Sequence, residues 1–422
     1  MNTLLEKLKP YQKSIAIAVV ILISLTMGIK YIMTPSGSMK ITHQPTLQKP
    51  TEKPQMTHIK TPASTRVIYI TSWVASQKQW REQLIKFVEK SEINSVIIDI
   101  KDYSGYVAFD TKDPYIKSLN TEQIRVKDMK EWLADLHKRG IYTIARITVF
   151  QDPIYAKSHP AEAVQTRQGA VWTDKHKLAY VDVASKSFWT YIVHIARAAE
   201  QAGFDEVNFD YIRYPTDGNL KDIKFPLSGP SVLFKDSRLY TRVTSNATTS
   251  AKAGTKNVTT RLVSAREKHL SEFFIYLHKE LKNLGIPMSA DVFGMTMTNH
   301  DDVGIGQVLE SIEPNFDFVC PMVYPSHYPP GFNNFAKPAE HPYEIVRYAM
   351  QHGADRLKKL GKNPNKLRPW LQDFNLGAKY DAPKIRAQIK ATHDSNLNSY
   401  LIWDPRNKYT QAAYLPSKNE HL

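Results

Sequence analysis

Apolar positions follow two alternating patterns from Arg66 to the C-terminal region of this chain. Short apolar runs, which predict buried strands, alternate with segments in which apolar residues recur every three or four positions, as in helices. The runs that predict strands begin at Arg66 and Val207 or cover Ser95–Ile100, Ile141–Val149, Met288–Val292, Phe316–Val323, Leu367–Leu371 and Tyr400–Trp403. Seven of the gaps around these eight strands hold a helix or room for one. The simplest closed arrangement of that order is an α/β fold, the (β/α)8 TIM barrel.

Helical spacing occurs in seven segments, and three of them end at a glycine, a residue that commonly ends helices. The helices are predicted around Trp80–Val88, Met129–Leu136, Ser187–Ala202, Leu262–Leu284, Val303–Ile312, Tyr343–Leu360 and Pro383–His393. Two stretches lack this spacing: 149–182, and 217–261 after the fourth strand, a polar segment that is expected to be an exposed insertion. With this strand count, both are expected on the face of the barrel that carries active sites.

The N-terminal segment 1–33 has the pattern of a membrane anchor. Three lysines precede Ser14–Ile29, which contains no charged residue, and Lys30 can extend its ammonium group towards the membrane surface. Ser14–Met33 therefore has about the ~20 residues that cross a bilayer as a helix. The basic N-terminal side predicts a cytoplasmic N-terminus, with the rest of the chain in the periplasm or outside the cell. A cleaved signal peptide is the alternative, and an uncleaved signal-anchor is favoured because no clear A-x-A site follows.

Composition divides the rest of the chain into three parts. Residues 34–65 are rich in Pro, Thr, Lys and Gln and poor in large apolar residues, which predicts a flexible tether. The predicted barrel domain covers 66–409, and a C-terminal tail covers 410–422. A chain of 422 residues is long enough to bury a large core in such a domain.

The net charge of +15 favours anionic partners such as acidic glycans or lipid headgroups. Basic residues are dispersed among acidic ones, and the sequence contains no zinc-finger, RNP or G-x-G-x-x-G motif, so no nucleic-acid partner is expected. The single cysteine, Cys320, lies in an apolar run and is predicted to be a buried core residue. No histidine has ligand spacing. Neither a metal nor an organic cofactor is implied by the sequence.

Polar residues follow the predicted strands at their C-terminal ends, where parallel α/β sheets and barrels bind ligands. The clearest example is D-E-V-N-F-D-Y-I-R-Y-P at 205–215, in which Asp210 ends a strand. The strand-end residues that we interpret as a site are Asp99, Arg146, Asp210, Tyr211, Arg213, Asp291, Tyr324, Gln372, Asp373 and Trp403. Carboxylates interleaved with aromatic residues suit glycoside hydrolysis. One acid protonates the leaving oxygen, a second attacks or activates water, and aromatic rings stack on sugars.

Several of these residues also have a purely structural interpretation. Asp210 could form a strand-end salt bridge with Arg213, and Asp99 could hydrogen-bond within the barrel or cap the following turn. Tyr324 and Trp403 could be aromatic residues of the core rather than surfaces for a sugar ring.

Four segments in this order resemble the putative glycoside hydrolase domain family of mostly bacterial TIM-barrel proteins: V-N-F-D-Y-I-R-Y-P, S-A-D-V-F-G, C-P-M-V-Y-P-S-H-Y and P-W-L-Q-D-F. The resemblance spans about 66–409 and implies membership of the glycosidase barrel superfamily. More loosely, the carboxylates after strands four, five and seven are similar to those of alpha-amylase-type enzymes. That likeness implies that Asp210, Asp291 and Asp373 act as nucleophile, general acid and transition-state stabiliser. The chain departs from that group in having Asp291 where a glutamate is usual, and in placing its arginine after the strand-four aspartate.

The leading hypothesis is a membrane-anchored, extracytoplasmic glycoside hydrolase that acts on a cell-envelope or extracellular polysaccharide. Asp210, Asp291 and Asp373 are its expected catalytic residues, and the other strand-end residues are expected to bind or orient the substrate. A non-catalytic glycan-binding or envelope-organising barrel is the alternative from another class. Deacetylation or lyase chemistry would need a metal or a His/Tyr base that the spacing does not provide.

Overall fold

Eight parallel strands close into a barrel in the computed structural model, which describes residues 58–233, 238–245 and 258–416. Side chains are not described for 238–245 and 258–262. The barrel strands are β1 (Arg66–Ile70), β2 (Ser95–Lys101), β3 (Tyr142–Thr148), β4 (Glu206–Asp210), β5 (Met288–Phe293), β6 (Phe318–Met322), β7 (Trp370–Gln372) and β8 (Tyr400–Trp403). They pair in chain order, and β8 closes the barrel on β1 in the register Arg66 to Tyr400. The predicted (β/α)8 barrel is therefore confirmed.

Alternate residues of the strands belong to two different cores, as the two-residue period of a strand requires. The barrel interior contains Val67, Tyr69, Ile97, Tyr142, Ile144, Cys320, Tyr324, Trp370 and Leu401. Their neighbours along the strands, such as Ile68, Ile98 and Ala145, belong to the larger core that the helices cover. The sequence position of a residue within its strand therefore decides whether its side chain enters the barrel.

Helices follow the first seven strands. They are α1 (Lys78–Lys90), α2 (Met129–Lys138), α3 (Lys186–Ala202), α4 (Ala265–Leu281), α5 (Leu309–Ile312), α6 (Pro342–Lys359) and α7 (Ala382–Asp394). The helix α3 illustrates the local rules: the Ser185 hydroxyl accepts a hydrogen bond from the Phe188 amide, and Gly203 ends the helix at φ 114°. Its buried residues include Phe188, Ile192, Ile195 and Ala199, which lie on one face at helical spacing.

The loops contain shorter elements. Helical turns are present at Ser72–Ala75, Pro114–Ser118, Pro153–Ser158, Leu220–Asp222, Pro230–Leu233, Gly294–Met297, Glu313–Asn315, Pro325–His327, Phe332–Asn334, Pro338–Glu340, Pro364–Lys366 and Gln411–Ala413. Two antiparallel strand pairs lie outside the barrel, Gln165–Thr166 with Ile223–Lys224 and Arg238–Ser245 with Val258–Ser264.

Two predicted helices are shorter in the structure than their apolar spacing indicated. The first turn of the predicted Leu262–Leu284 helix is instead strand, and Ser264 then caps α4 by accepting from the Glu267 amide. Of the predicted Val303–Ile312 helix only α5 forms, because Val303, Gly304 and Gly306 all have positive φ. Left-handed backbone at these three positions is incompatible with a continuous right-handed helix.

The insertion at 217–261 packs on the barrel more closely than its polar composition indicated. Ile223, Phe225 and Val232 are buried. The Asp182 carboxylate accepts hydrogen bonds from the Leu227 and Ser228 amides at 2.8 and 3.0 Å. The expectation of an exposed insertion is therefore wrong for its first part.

The N-terminal end of the barrel is covered by the last residues of the predicted tether. Ile59 donates its amide hydrogen to Asp205, 2.8 Å away, and the Thr61 and Tyr142 hydroxyls are 3.1 Å apart. Asn398 donates to the Ala63 carbonyl at 2.9 Å. Residues 58–65 thus belong structurally to the barrel, whereas the predicted anchor at 1–33 and the remainder of the tether lie outside the described residues. Within the described ranges, no helix has the length and apolar character needed to span a bilayer.

Candidate active site

A cavity of about 650 Å³ opens at the C-terminal ends of the barrel strands. Every strand, or the residue that follows it, contributes to its lining. In chain order these contributions include Tyr69, Asp99, Arg146, Asp210, Asp291, Met322, Tyr324, Trp370 and Trp403. Eight of the ten residues singled out in the sequence therefore line one cavity, Tyr211 and Arg213 among them.

Arg146 lies at the centre of three carboxylates from three neighbouring strands. Its guanidinium group donates to Asp99 at 2.5 Å and to Asp210, and its Nε lies 3.6 Å from Asp291. All four side chains are buried, so the guanidinium charge is needed to offset the cost of removing carboxylates from water. With three acids and one base buried together, repulsion between the carboxylates favours protonation of at least one of them.

Asp291 is fixed by two neutral donors on its other oxygen. The Asn208 amide and the Trp370 indole donate to Oδ1 of Asp291 at 2.9 and 2.8 Å. Burial, reinforced by the charge of Asp210 and opposed by Arg146, raises the pKa of Asp291 to about 8. At neutral pH this side chain is therefore mainly a carboxylic acid that can donate a proton.

Asp99 occupies the opposite side of the guanidinium group. The Tyr69 hydroxyl donates to Asp99, and burial raises the pKa of Asp99 to about 6 in spite of Arg146. The Tyr69 ring stacks on Trp403, with 3.9 Å between ring centroids and 21° between planes. The Arg146 guanidinium lies 5.1 Å from the Trp403 ring centroid, so aromatic faces and charges adjoin in one wall.

The backbone turns sharply directly after Asp210. Tyr211 has φ 52°, a conformation that is costly for a residue with a bulky side chain, and its amide donates to Asp210 at 2.5 Å. Arg213 does not pair with Asp210, whose ionic partner is Arg146. Instead Arg213 donates to the Tyr214 carbonyl at 3.0 Å and lies over the rings of Tyr211 and Phe293. The salt-bridge interpretation of the Asp210 and Arg213 pair is therefore wrong.

Comparison with known proteins agrees with this geometry. Residues 67–409 match the sequence family described as "Putative glycosyl hydrolase domain". The chain belongs to this family. The match confirms the family resemblance that the four segments indicated, and it supports a glycoside hydrolase of the TIM-barrel type.

Two solved structures share the fold at low sequence identity, and a third is similar to part of the chain. The glycoside hydrolase domain of PgaB from Bordetella bronchiseptica is 13% identical over 81% of this chain and 94% of that chain, with a TM-score of 0.51. Alpha-L-fucosidase isoenzyme 2 from Paenibacillus thiaminolyticus is 11% identical over 83% of this chain and 48% of that chain, with a TM-score of 0.52. A hypothetical protein from Ruminiclostridium thermocellum is 27% identical over 53% of this chain and 97% of that chain, with a TM-score of 0.41. No curated protein is significantly similar to the chain in sequence.

Asp373 and Gln372 of this glycosyl hydrolase domain do not line the cavity. The Asp373 carboxylate accepts from the Thr410 amide at 2.9 Å and from the Tyr414 hydroxyl at 2.9 Å, and burial raises the pKa of Asp373 to about 6. Gln372 accepts from the Ser326 hydroxyl at 2.9 Å. Residues 410–416 of the predicted tail therefore pack on the barrel, and two of them hydrogen-bond to the Asp373 carboxylate. The structure does not bring Asp373 to Asp210 and Asp291.

Several lining residues were not singled out in the sequence. Tyr69 and Trp370 bind Asp99 and Asp291 from within strands, while Tyr103, His327 and Tyr328 lie in loops. The two strand residues carry a detectable signal, since each is a polar-tipped aromatic at an inward position of a strand whose end is polar. The loop residues carry no comparable signal. Burial lowers the pKa of His327, which keeps this imidazole neutral at neutral pH.

The described residues contain no group of three or more His, Cys, Asp or Glu side chains with the geometry of a metal site. The cavity offers carboxyl groups, arginines and aromatic rings for chemistry.

Proposed function

We propose that this protein hydrolyses O-glycosidic bonds in a cell-envelope or extracellular polysaccharide. One observation carries the proposal: Arg146 contacts Asp99, Asp210 and Asp291 at the base of an open cavity, and Asp291 has a pKa of about 8. Glycoside hydrolysis requires one protonated and one ionised carboxyl group at the same site. Asp291 meets the first requirement, and Asp210, paired with Arg146, is suited to the second.

In the proposed reaction, Asp291 protonates the glycosidic oxygen as the bond to the anomeric carbon breaks. The Asp210 carboxylate either attacks that carbon or removes a proton from the attacking water, which correspond to retention and inversion. Arg146 pairs with the Asp210 carboxylate and compensates for the charge that Asp291 acquires when it loses its proton. Asp99 orients Arg146 from the other side.

The walls of the cavity supply the expected substrate contacts. Trp403 stacks on Tyr69, and Tyr324 packs edge-on against Phe374, so aromatic rings are fixed on two sides of the acids. Rigid aromatic faces with nearby polar tips suit a sugar ring, which has one apolar face and a rim of hydroxyl groups. Tyr211 and Arg213 extend this surface from the strained turn after β4.

We further propose that Ser14–Met33 anchors the protein in the cytoplasmic membrane and that the barrel domain acts on the periplasmic or extracellular side. The support is the uncharged segment, the lysines that precede it and the tether composition of the residues that follow. Membrane fractionation of the full chain, with protease protection of its two ends, tests this part. Release of the barrel domain into the soluble fraction after cleavage near Met33 would favour a secreted protein instead.

A glycan screen tests the activity. The full chain, Asp210→Asn and Asp291→Asn are incubated with a panel of polysaccharides and read for released reducing ends and for binding. The surface variant Asp135→Asn is the control, because Asp135 contacts Arg139 on the exposed side of α2. Release by the parent and the control, but not by the two site variants, is the expected result. Binding by all four proteins without any release would contradict hydrolysis and favour a glycan-binding barrel.

A further inference from the structure

A second concave surface lies outside the cavity and has no role in the proposed reaction. This groove of about 540 Å³ is lined by Trp73, Val74, Gln77, Gln79, Trp80 and Gln83. The side chain of Trp73 is 54% exposed and that of Trp80 is 36% exposed. Two exposed tryptophans within one small surface are unusual for a soluble domain and mark binding surfaces.

Trp73 is held in place by a buried ionic group. The guanidinium of Arg125 lies 4.3 Å from the centroid of the Trp73 ring. Arg125 is itself buried, pairs with Asp102, and donates to the hydroxyls of Ser72 and Ser104 at 2.9 and 3.0 Å. The indole is thus stacked on an immobile cation, which presents its ring to solvent with little freedom to lose on binding.

The start of α1 departs from the usual preferences of helices. Gln77 occupies the N-cap position, yet its side chain makes no capping hydrogen bond. Ser, Thr, Asp or Asn at this position would stabilise the helix, and Trp80 occupies an exposed position of the first turn where a polar residue would be ordinary. Departures of this kind are expected where a residue serves binding rather than stability.

The lining of the groove specifies the chemistry of its ligand. None of the six lining residues is charged, so the groove offers aromatic rings and amides. Amides donate and accept hydrogen bonds at once, which suits vicinal hydroxyl groups, while the indole rings suit the apolar faces of sugars. A neutral carbohydrate chain satisfies both features better than a charged peptide or a lipid headgroup does.

Neighbouring residues in the same two loop segments line or hold both the groove and the cavity. Thr71 lines the cavity, and Trp73 lines the groove two residues later. Asp102 holds the guanidinium beneath Trp73, and the next residue, Tyr103, is 54% exposed and lines the cavity. We propose that the groove is an outer subsite that binds a neutral segment of the polysaccharide chain running out of the cavity past Tyr103. This inference rests on the proposed function for the identity of the chain.

Affinity electrophoresis tests the subsite. The full chain is run through gels that contain dextran, xylan, galactomannan or glycol chitin, beside Trp73→Ala, Trp80→Ala and the Trp80→Phe variant that keeps a ring. Ile275→Ala is the matched control, because Ile275 is another exposed apolar residue, on α4. We expect retardation of the parent by at least one polymer and apparent affinities about tenfold weaker for each alanine variant, with Trp80→Phe and Ile275→Ala close to the parent.

The Asp210→Asn protein separates this inference from the proposed hydrolysis. Its groove is intact, so it should be retarded like the parent even if no polymer is cleaved by either protein. If hydrolysis occurs, the tryptophan variants should raise KM for the long polymer while leaving kcat for a short aryl glycoside unchanged. Equal retardation of the parent and both alanine variants would overturn the subsite, as would the absence of retardation in all four gels.

Discussion

Replacing Asp210 with asparagine should lower the pKa of Asp291, which links the two proposed catalytic groups without any knowledge of the substrate. In the folded protein the pKa of Asp291 is raised from 3.8 to about 8. Burial is the largest cause, and the charge of Asp210 is the next. Asparagine removes that charge and leaves burial almost unchanged. In the parent, Asp210 also pairs with Arg146. Without that pair, the Arg146 guanidinium can interact more strongly with ionised Asp291 and lower the pKa of Asp291 further.

The expected magnitude follows from Coulomb's law. Two unit charges about 6 Å apart in an environment with an effective dielectric constant of about 20 interact by about 3 kcal/mol, which corresponds to a change of about two in pKa. The pKa of Asp291 in Asp210→Asn should therefore fall towards about 6. Asp291 would then be mostly ionised at neutral pH and would no longer supply a proton.

Carboxyl titration by NMR on protein labelled with ¹³C-aspartate measures this directly, and the spectrum of Asp291→Asn assigns the resonance. Asp135→Asn serves as the control, because it removes a surface carboxylate remote from β5. An unchanged or higher pKa of Asp291 in Asp210→Asn would refute the electrostatic coupling of the two groups, and with it the reason for assigning them complementary roles.

Three further predictions concern the same region. Since folding raises the pKa of Asp291, the contribution of Asp291 to stability should fall as pH rises from about 4 to 8, and Asp291→Asn should lose that contribution while those of Asp99 and Asp373 remain. The free energy of unfolding of the variant, relative to the parent, should gain up to about 5 kcal/mol over that range in urea titrations. Asp373→Asn should destabilise the protein by about 1–3 kcal/mol through its contacts with Thr410, yet lower kcat/KM less than tenfold. A larger loss of kcat/KM would return Asp373 to the catalytic set. Gly294→Ala places a methyl group 2.5 Å from the Met322 carbonyl oxygen. The free energy of unfolding, measured by thermal unfolding, should therefore fall by about 1–3 kcal/mol. Unchanged stability would mean that the end of β6 can shift without cost to relieve this contact.

The inward-facing side chains at the strand ends were predictable, because the two-residue period of a strand decides which side chains enter the barrel. Ile97 and Ile144 face the barrel interior, so Asp99 and Arg146, two residues further along each strand, must face it too. The same period places Asp210 and Asp291 inward. Strand count and period together are therefore sufficient to bring these four side chains to one place from the sequence alone.

Asp373 shows what strand-end position alone leaves out. Trp370 faces inward and Leu371 faces the helices, so Asp373 has the outward phase of Leu371 and not the inward phase of Trp370. Strand-end position alone, without this phase, places Asp373 incorrectly beside Asp210 and Asp291. Loop contributions such as Tyr103 and Tyr328 could not be derived, because no short-range periodicity constrains where a loop residue points.

The leaving-group dependence of Asp291→Asn shows whether Asp291 is the proton donor. On aryl glycosides of whichever sugar the screen identifies, the parent and this variant are compared with a 2,4-dinitrophenyl leaving group, which departs without protonation, and with a phenyl leaving group, which needs it. If Asp291 is the proton donor, kcat/KM of the variant should fall by about 10²–10⁴ for the phenyl glycoside and by less than tenfold for the dinitrophenyl glycoside. Equal losses on both substrates would show that Asp291 is not the proton donor and would contradict the proposed mechanism.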